Sequence, residues 1–349
     1  MPESLTPNLP LTPNLPLTPD LPLTPLRVAP QNRVLSDVIL DPAGATAALI
    51  VDQGHPFFYD HPLDHVPGLL LIEAAMQLAG QWRAAHPGPE PLRQLSVRFL
   101  KYCLHDIPVT LALSLRTEGA AHHLEVLFTQ SGQPRARITL QLIAGPVDLR
   151  PDPRLSAYLA TRSGQPLVPV AAARVGKLDP ANLMITAAEP LAEPLATPAD
   201  AGRLGAVAAR LLPAAPGNAL ADPEGAAQWH PLYLLEGWMQ VLRFLNTDPA
   251  RRPERFRDIL AGIDLWLEAP APRGIDLGLL AETDPRPLPG PEGRWCARAG
   301  VIGSAETTFA RVHLLTARPG ARPAGTAGAA ASEPRAESLP ETPKETTHV

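Results

Sequence analysis

Residues 60–80 read DHPLDHVPGLLLIEAAMQLAG, and no other segment of the chain says more about its architecture. A loop with two histidines leads into a Pro-Gly step, and an almost wholly apolar segment follows. Apolar residues on all sides of a helix are typical of a buried, central helix. Pro67 costs little at the start, because the first amides of a helix have no partner within it. The pattern predicts a central helix over residues 66–84.

Glu73 lies inside this apolar helix. Glutamate is rarely fully buried without a partner, since an unpaired buried charge is costly. The free amides at the helix start, with that of Gly68 nearest, could hold a carbonyl oxygen that gains negative charge. Glu73 would then accept a proton or orient a hydroxyl group. A structural glutamate paired with an arginine explains a single occurrence equally well.

Residues 228–245, QWHPLYLLEGWMQVLRFL, repeat the pattern of this helix. Glu236 stands at the place of Glu73, and Gln240 at the place of Gln77. Upstream, the Pro-x-Asn start at 30–32 recurs at 180–182. Matches in the same order predict one unit used twice. The second copy lacks the Pro-Gly step, so we interpret it as partly degenerate, or as supplying Glu236 and Arg243 to a different part of the site.

The composition sets the boundaries of the two copies. The chain has 349 residues and 44 prolines, many of them in an N-terminal stretch where LTPNLP recurs. Such low-complexity sequence is unlike a packed core. We therefore predict a Pro-rich disordered tail at 1–29, a first repeat at 30–145, a linker at 146–178, a partly degenerate second repeat at 179–316 and a disordered tail at 317–349.

Several functional classes are excluded by what the sequence lacks. A net charge of −5 with interspersed signs does not indicate a nucleic-acid surface. No apolar run is long enough for a bilayer, and no secretory signal is visible. Cys103 and Cys296 resemble reduced core thiols, and the spacing of the histidines near residue 60 matches no compact metal motif. We expect a cytoplasmic protein with no metal and no cofactor.

Alternating apolar runs separated by turn signals predict the strands. In the first copy they fall at 33–40, 45–51, 94–103, 108–116, 122–129 and 135–143. In the second copy they fall at 182–186, 203–212, 257–268, 274–281, 294–301 and 307–316, with a helix at 231–246. A short helix around 155–161 fits the linker. Because the connections are short, the predicted fold is α+β, with antiparallel sheets each wrapped around a central helix.

These features resemble a known family. A central helix entered through His…Pro-Gly, with a glutamate in its second turn, resembles the hotdog fold of acyl-thioester enzymes, including the β-hydroxyacyl carrier-protein dehydratases. The stretch DHPLDHVPGLLLIEAAMQ is similar almost letter for letter to the A-factor biosynthesis (AfsA) hotdog family, whose proteins usually carry two repeats. The resemblance covers about residues 28–316. It implies a tandem (double) hotdog and a γ-butyrolactone synthase type of activity.

The activity implied by the resemblance is acyl transfer. A β-ketoacyl group would move from acyl carrier protein to the hydroxyl of dihydroxyacetone phosphate. The family helix commonly reads Glu-x-x-Arg-Gln, whereas Met76 and Met239 occupy the arginine place here. Arginine is the natural holder of a phosphate. Arg243 shares a helix face with Glu236 and could compensate, and another small alcohol could be the acceptor.

The predicted site follows from this resemblance and from the residues. The thioester would lie along the first helix, with Glu73 as the base and His61 or His65 assisting proton transfer. Asp64 would orient a histidine or cap the helix. The predicted catalytic residues are Glu73, His61, His65, Gly68 and Glu236, and the predicted substrate-binding residues are Asp64, Gln77, Gln240 and Arg243. The expected partners are an acyl carrier protein or acyl-CoA thioester and a small phosphorylated alcohol, bound by a monomer or homodimer.

Two alternatives stay open. The same scaffold supports dehydration or hydrolysis of an acyl thioester, and fold alone does not separate these reactions from transfer. A non-catalytic acyl-thioester-binding protein is the other alternative. The methionines at the arginine place favour it, and the intact DHPLDHVPG loop opposes it.

Overall fold

The computed structural model describes residues 32–88, 90–119, 121–144, 148–191, 206–221, 227–246, 259–282, 286–287 and 295–317. The predicted tail at 1–29, and all but the first residue of the tail predicted at 317–349, lie outside this part of the chain. Within the described ranges no helix is both long and apolar enough to span a membrane.

Strands are the commonest regular element in the described part of the chain, and four α-helices accompany them. The helices are α1 (Gly68–Ala85), α2 (Pro153–Arg162), α3 (Ala172–Val175) and α4 (Pro231–Asn246). The strands are β1 (Leu35–Asp41), β2 (Gly44–Leu49), β3 (Leu92–Phe99), β4 (Thr110–Glu118), β5 (Ala121–Gln130), β6 (Gln133–Ile143), β7 (Glu189–Leu191), β8 (Ala206–Arg210), β9 (Ile259–Leu267), β10 (Gly278–Glu282), β11 (Arg286–Pro287), β12 (Trp295–Gly303) and β13 (Thr308–Ala317).

The strands form one antiparallel sheet in the order β1-β2-β4-β5-β6-β3-β9-β13-β12-β10-β8-β7, with β11 paired to β12. The first six strands of this order belong to the first unit and the remainder to the second. Alternate residues of β6 are buried, as expected for a strand with one face on a core. The two predicted sheets are therefore halves of a continuous sheet, because β3 and β9 join edge to edge.

The junction between β3 and β9 relates the two units by an approximate twofold axis. Ser96 pairs with Asp264 at its centre. On either side, Gln94 pairs with Trp266, and Arg98 pairs with Gly262. This arrangement turns the concave faces of the two half-sheets and their helices toward a shared core.

Each half-sheet wraps around one central helix. Helix α1 packs on β1, β2, β4 and β6, and α4 packs on β8, β10 and β12. Both helices are apolar on most of their surface because the curled sheet covers them on several sides. The architecture is a double hotdog, which confirms the predicted fold class.

The linker predicted at 146–178 contains ordered structure. Helix α2 covers the predicted 155–161 helix and begins with a capped turn, because Asp152 accepts hydrogen bonds from the amides of Arg154 and Leu155. Its apolar side, with Leu155 and Leu159, packs on the outer face of β8 and β10. The linker therefore closes the outer surface of the second half-sheet.

One strand prediction is wrong. No strand forms at 182–186; residues Pro180–Asn182 form a 3₁₀ turn, and β7 lies further on. The reason is local polar bonding, since Asp179 accepts from the amide of Ala181 and the side chain of Asn182 bonds elsewhere. In place of the predicted strand, Ile185 and Thr186 each form an isolated β-bridge.

Candidate functional site

Gln77 connects α1 to the start of the first strand. Its Nε2 donates to the carbonyl of Asn32 at 2.8 Å and to Glu73 Oε1 at 2.7 Å. Its Oε1 accepts from the amide of Val34 at 3.2 Å. The amide side chain thus fixes the segment before β1 and occupies one oxygen of Glu73, which is only 2% exposed.

Gln240 makes the equivalent set of bonds in the second unit. Its Nε2 donates to the carbonyl of Asn182 at 2.8 Å and to Glu236 Oε1 at 3.3 Å, and its Oε1 accepts from the amide of Met184 at 3.1 Å. The predicted substrate-binding role of Gln77 and Gln240 stays a prediction. The geometry gives both a bracing role that leaves Oε2 of each buried glutamate to other partners.

The first histidine–carboxylate pair joins the two units. Oε2 of Glu73, on α1, lies 3.4 Å from Nε2 of His230, which immediately precedes α4. Nδ1 of His230 accepts from the amide of Leu232 at 3.1 Å, so a neutral His230 carries its proton on Nε2. Among the described residues, Oε2 of Glu73 accepts no hydrogen bond of good geometry. The loop of one unit thereby presents a donor to the helix carboxylate of the other.

The second pair crosses the units in the opposite sense and carries more charge. Oε1 of Glu236, which is 0% exposed, lies 3.0 Å from Lys177 Nζ and 2.8 Å from an Arg243 nitrogen. His61, from the loop before α1, lies within electrostatic reach of all three groups. Oε2 of Glu236 and Nδ1 of His61 are buried and have no hydrogen-bond partner among the described residues. One polar atom in each unit is thus buried without a partner among the described residues.

The charges at this second pair perturb both titrating groups. Burial raises the pKa of Glu236, but Arg243 and Lys177 outweigh burial and hold the pKa below its ordinary value. Burial lowers the pKa of His61, and Arg243 and Lys177 lower it further, more strongly than Asp60 and Glu236 raise it. At neutral pH Glu236 is therefore a carboxylate and His61 a neutral imidazole. Perturbed titratable groups are typical of functional sites.

Asp60 ties the His61 loop to the segment that carries Lys177. Its carboxylate accepts from the amides of Leu178 at 3.0 Å and Asp179 at 2.8 Å, and from Asn182 Nδ2 at 2.9 Å. Because Asp60 and His61 are neighbours, as are Lys177 and Leu178, these bonds fix the histidine relative to the cation. The position of His61 thus depends on the second unit.

His65 and Asp64 form a separate surface pair. Nδ1 of His65 lies 2.6 Å from Asp64 Oδ1, and the side chain of Asp64 is 96% exposed. The imidazole ring packs on Tyr102, with ring centroids 4.4 Å apart. His65 and the bond it makes lower the pKa of the Asp64 carboxyl group. Asp64 does not cap α1, because no side chain caps that helix.

Gly68 is required by packing at the first residue of α1. A Cβ at this position would lie 2.7 Å from the ring of Phe99. The helix start has no side-chain cap, and its first residues directly follow the loop that holds His61 and His65. The predicted role of the Gly68 amide as an oxyanion donor stays a prediction.

The structure groups the predicted residues differently from the expected single-unit site. Glu73 faces His230 of the other unit, whereas His61 is within electrostatic range of Glu236, so the predicted residues are divided between two places. His230 and Lys177 were missed by sequence reasoning. His230 aligns with Pro67, so the comparison of the two copies did not indicate a functional role for it. Lys177 lies in the segment that was predicted to be a linker. In the described part of the chain no three His, Cys, Asp or Glu side chains converge as metal ligands would.

Two cavities lie close to these pairs. One of about 300 Å³ is lined by Leu70, one helical turn before Glu73, and by Arg33, Asp52 and His55. The other, of about 500 Å³, is lined by residues 213–218 and by Trp229, which directly precedes His230. Both cavities therefore border the elements that carry the first pair.

The fold and the site define a double hotdog protein in which a histidine of the second unit contacts the helix carboxylate of the first, and two cations hold the helix carboxylate of the second. Residues 27–144 match the A-factor biosynthesis hotdog domain family (AfsA), which confirms for this part of the chain the family predicted from the sequence.

Two curated relatives carry the same name, 2-oxo-3-(phosphooxy)propyl 3-oxoalkanoate synthase. The one from Streptomyces coelicolor is 33% identical over 114 residues, which is 32% of this chain and 35% of the relative. The one from Streptomyces virginiae is 58% identical over 31 residues, which is 9% of this chain and 10% of the relative. The matched region thus spans about a third or less of these relatives.

A solved structure supports the fold over most of the chain. The pyran synthase domain from module nine of the sorangicin pathway aligns with a TM-score of 0.53, at 19% identity, over 82% of this chain and 98% of that domain. At this identity the likeness concerns the fold alone.

Proposed function

We propose that the protein is an acyltransferase that moves a β-ketoacyl group from acyl carrier protein to dihydroxyacetone phosphate or a similar small alcohol, as in γ-butyrolactone signal biosynthesis. The AfsA match and the names of the two relatives support this class of reaction. One observation carries the proposal: the buried carboxylate of Glu236, from the second unit, is held by two cations, Lys177 and Arg243, and all three charges act on His61 from the first unit.

His61 is the proton acceptor in this proposal. The acceptor hydroxyl gives its proton to His61 while its oxygen attacks the thioester carbonyl carbon. Glu236 stabilises the imidazolium that forms, since a carboxylate favours the protonated ring. The tetrahedral intermediate then collapses, the carbon–sulfur bond breaks, and the leaving thiolate takes the proton from His61. Atoms and charges balance without a cofactor or metal.

The amino end of α1 serves the developing oxyanion. Its uncapped first amides, with that of Gly68 first, follow the His61 loop in the chain. Preorganised amides in a site that excludes water stabilise such charge strongly. A side chain at residue 68 would both collide with Phe99 and crowd this approach.

Arg243 holds the phosphate of the acceptor. Met76 and Met239 offer no charge, whereas the side chain of Arg243 is 35% exposed and reaches from the buried carboxylate toward solvent. Lys177 shares the negative charge of Glu236, so the single carboxylate does not neutralise both cations. The remaining donors of a guanidinium fork suit a phosphate group.

The test uses the purified full chain with a β-ketoacyl carrier protein, with and without dihydroxyacetone phosphate, and identifies products by mass spectrometry. We expect a phosphorylated ester only when the acceptor is present. His61→Asn should reduce transfer about 10²-fold or more. His65→Asn is the matched control, because His65 lies in the same loop but bonds a surface carboxylate.

Other outcomes of this assay would reject the proposal. Hydrolysis of the β-ketoacyl carrier protein without an acceptor would identify a thioesterase, and water loss when a β-hydroxyacyl carrier protein is supplied instead would identify a dehydratase. Retained binding without turnover would identify a non-catalytic acyl-thioester binder. Equal transfer by His61→Asn and the wild type would contradict the assignment of the base.

A further inference from the structure

The larger cavity has an electropositive wall. It has a volume of about 500 Å³, and the loop of residues 213–218 contributes alanines, prolines and a glycine to its lining. Arg273 supplies the only ionisable side chain among its described lining residues. Because no acidic group balances Arg273 in this lining, an anion would gain from entering.

Arg273 is held in a fixed orientation. Its Nε donates to the carbonyl of Gln228 at 3.1 Å, and its guanidinium carbon lies 5.2 Å from the centre of the Trp229 ring. Its own amide donates to the carbonyl of Ala227 at 2.9 Å. A guanidinium that is already oriented by stacking and by one hydrogen bond loses little entropy when it binds an anion.

The indole of Trp229 provides a second, independent indication. Its Nε1 is buried and has no hydrogen-bond partner among the described residues. Indole Nε1 can only donate, and a buried donor without an acceptor is costly. The ring itself is fixed by stacking on Tyr233, with centroids 4.7 Å apart. An acceptor oxygen from a ligand would satisfy this donor.

In the smaller cavity, basic and acidic side chains of the described lining balance each other in charge. There Arg33 is accompanied by Asp52 and by His55, whose Nδ1 accepts two backbone hydrogen bonds. The described linings of the two cavities thus differ in net charge. Among the described lining residues, only those of the larger cavity combine a cation without a balancing acid and an unsatisfied donor.

We propose that the larger cavity is an anion site that takes the phosphate group of a phosphate ester. The guanidinium of Arg273 binds two phosphate oxygens, and the indole N–H of Trp229 donates to one. Since Trp229 directly precedes His230, the ligand lies beside the Glu73–His230 pair. The site is separate from Arg243 and does not depend on the proposed transfer reaction.

The experiment follows the indole N–H signal of Trp229 in the ¹⁵N-labelled full chain, assigned by its loss in Trp229→Phe. Inorganic phosphate, phosphopantetheine and dihydroxyacetone phosphate are titrated separately, with dihydroxyacetone as the uncharged comparison. We expect the signal to move saturably with the three phosphates and not with dihydroxyacetone. Arg273→Met should weaken that binding by about 10-fold to 100-fold, as expected for a charge-assisted contact.

Two controls make the result specific. Arg83→Met removes a half-buried arginine that bonds carbonyls at the end of α1, and it should leave the titration unchanged. Arg273→Lys keeps the charge without the planar fork and should bind with intermediate affinity, which excludes mere loss of folding. A signal that does not move with any phosphate, or that moves equally in Arg273→Met, would overturn the proposal.

The titrations also identify the source of the phosphate and separate this proposal from the proposed function. Tightest binding of phosphopantetheine indicates the carrier-protein arm, tightest binding of dihydroxyacetone phosphate indicates the triose, and equal binding indicates free phosphate. Binding is measured without turnover, so absence of acyl transfer would leave this result standing. Conversely, if the protein transfers the acyl group but its Trp229 signal does not move with phosphate, the anion site is refuted and the proposed function is not.

Discussion

The two buried glutamates occupy equivalent places in the two units but differ in the charges around them. Glu73 faces His230 and, among the described residues, accepts a hydrogen bond only from the neutral side chain of Gln77. Glu236 instead contacts Lys177 and Arg243. Arg243 stands seven residues after Glu236, whereas the same place after Glu73 is occupied by Gly80.

This difference arises from only two cations. Bracing by Gln77 and Gln240 is the same in both units, so the backbone frame does not distinguish the pairs. The cations keep Glu236 ionised and His61 neutral, whereas among the described residues no lysine or arginine contacts Glu73. A duplicated frame can thus support two chemically unequal sites.

The largest expected effect is on the rate of acyl transfer. Glu236→Gln removes the charge that stabilises protonated His61, and we expect kcat/KM to fall by about 10²-fold to 10⁴-fold. Glu73→Gln is the matched substitution in the other unit and should change kcat/KM far less. Steady-state assays with melting curves for both variants test this. If Glu73→Gln proved the more damaging, the reactive pair would be Glu73–His230.

The next effect concerns the free energy of unfolding. Lys177→Met leaves the buried charge of Glu236 with Arg243 alone, and we expect a loss of about 3 kcal/mol, near the low end for a broken buried pair. The double variant Lys177→Met/Glu236→Gln should lose less than the sum of the single variants. Urea unfolding of the four proteins measures this coupling.

Glu73→Gln serves as the comparison in the same unfolding experiment. Its environment holds no buried cation, and glutamine retains an acceptor for Gln77, so the loss should stay within about 1 kcal/mol. Additive losses for Lys177 and Glu236 would show that the cation does not depend on the carboxylate.

Local sequence signals were sufficient for the elements but not for the contacts between units. The predicted helix at 231–246 coincides with α4, and the helix predicted at 66–84 differs from α1 by two residues at the start and one at the end. Apolar periodicity and the Pro-Gly step are features of the helical segment itself, so the helix can be predicted from its own sequence. The buried glutamates were likewise identified from their apolar surroundings.

The partners of those glutamates could not be read in the same way. His61 and Lys177 come near Glu236 only because β3 and β9 join the half-sheets and Asp60 ties the loop to the linker. Packing between elements shows the same limit. Trp238 donates to the carbonyl of Leu280 at 2.9 Å and fills space that a Cβ on Gly300 would occupy, whereas the first helix has Ala75 at the equivalent place. Complementary pairs of large and small residues such as these are far apart in sequence, so a local pattern does not predict them.

The smallest expected effect is the pH dependence of stability at His61. The folded pKa of this histidine lies below its ordinary value of 6.5, through burial first and then through Arg243 and Lys177, although Asp60 and Glu236 oppose the shift. Between the two pKa values the unfolded chain binds more protons than the folded one, so stability decreases as pH falls below about 6.5. His61→Asn should flatten this part of the curve.

Lys177→Met sharpens the same measurement, because removing a cation raises the folded pKa of His61 toward 6.5. The contribution of His61 is obtained by subtracting the stability curve of the His61→Asn variant, once in the wild type and once in Lys177→Met. The decrease in stability due to His61 should therefore be smaller in Lys177→Met. His65→Asn is the control, since that ring is partly exposed and bonded to Asp64. A His61 contribution that stays the same without Lys177 would show that burial and Arg243, and not Lys177, keep His61 neutral.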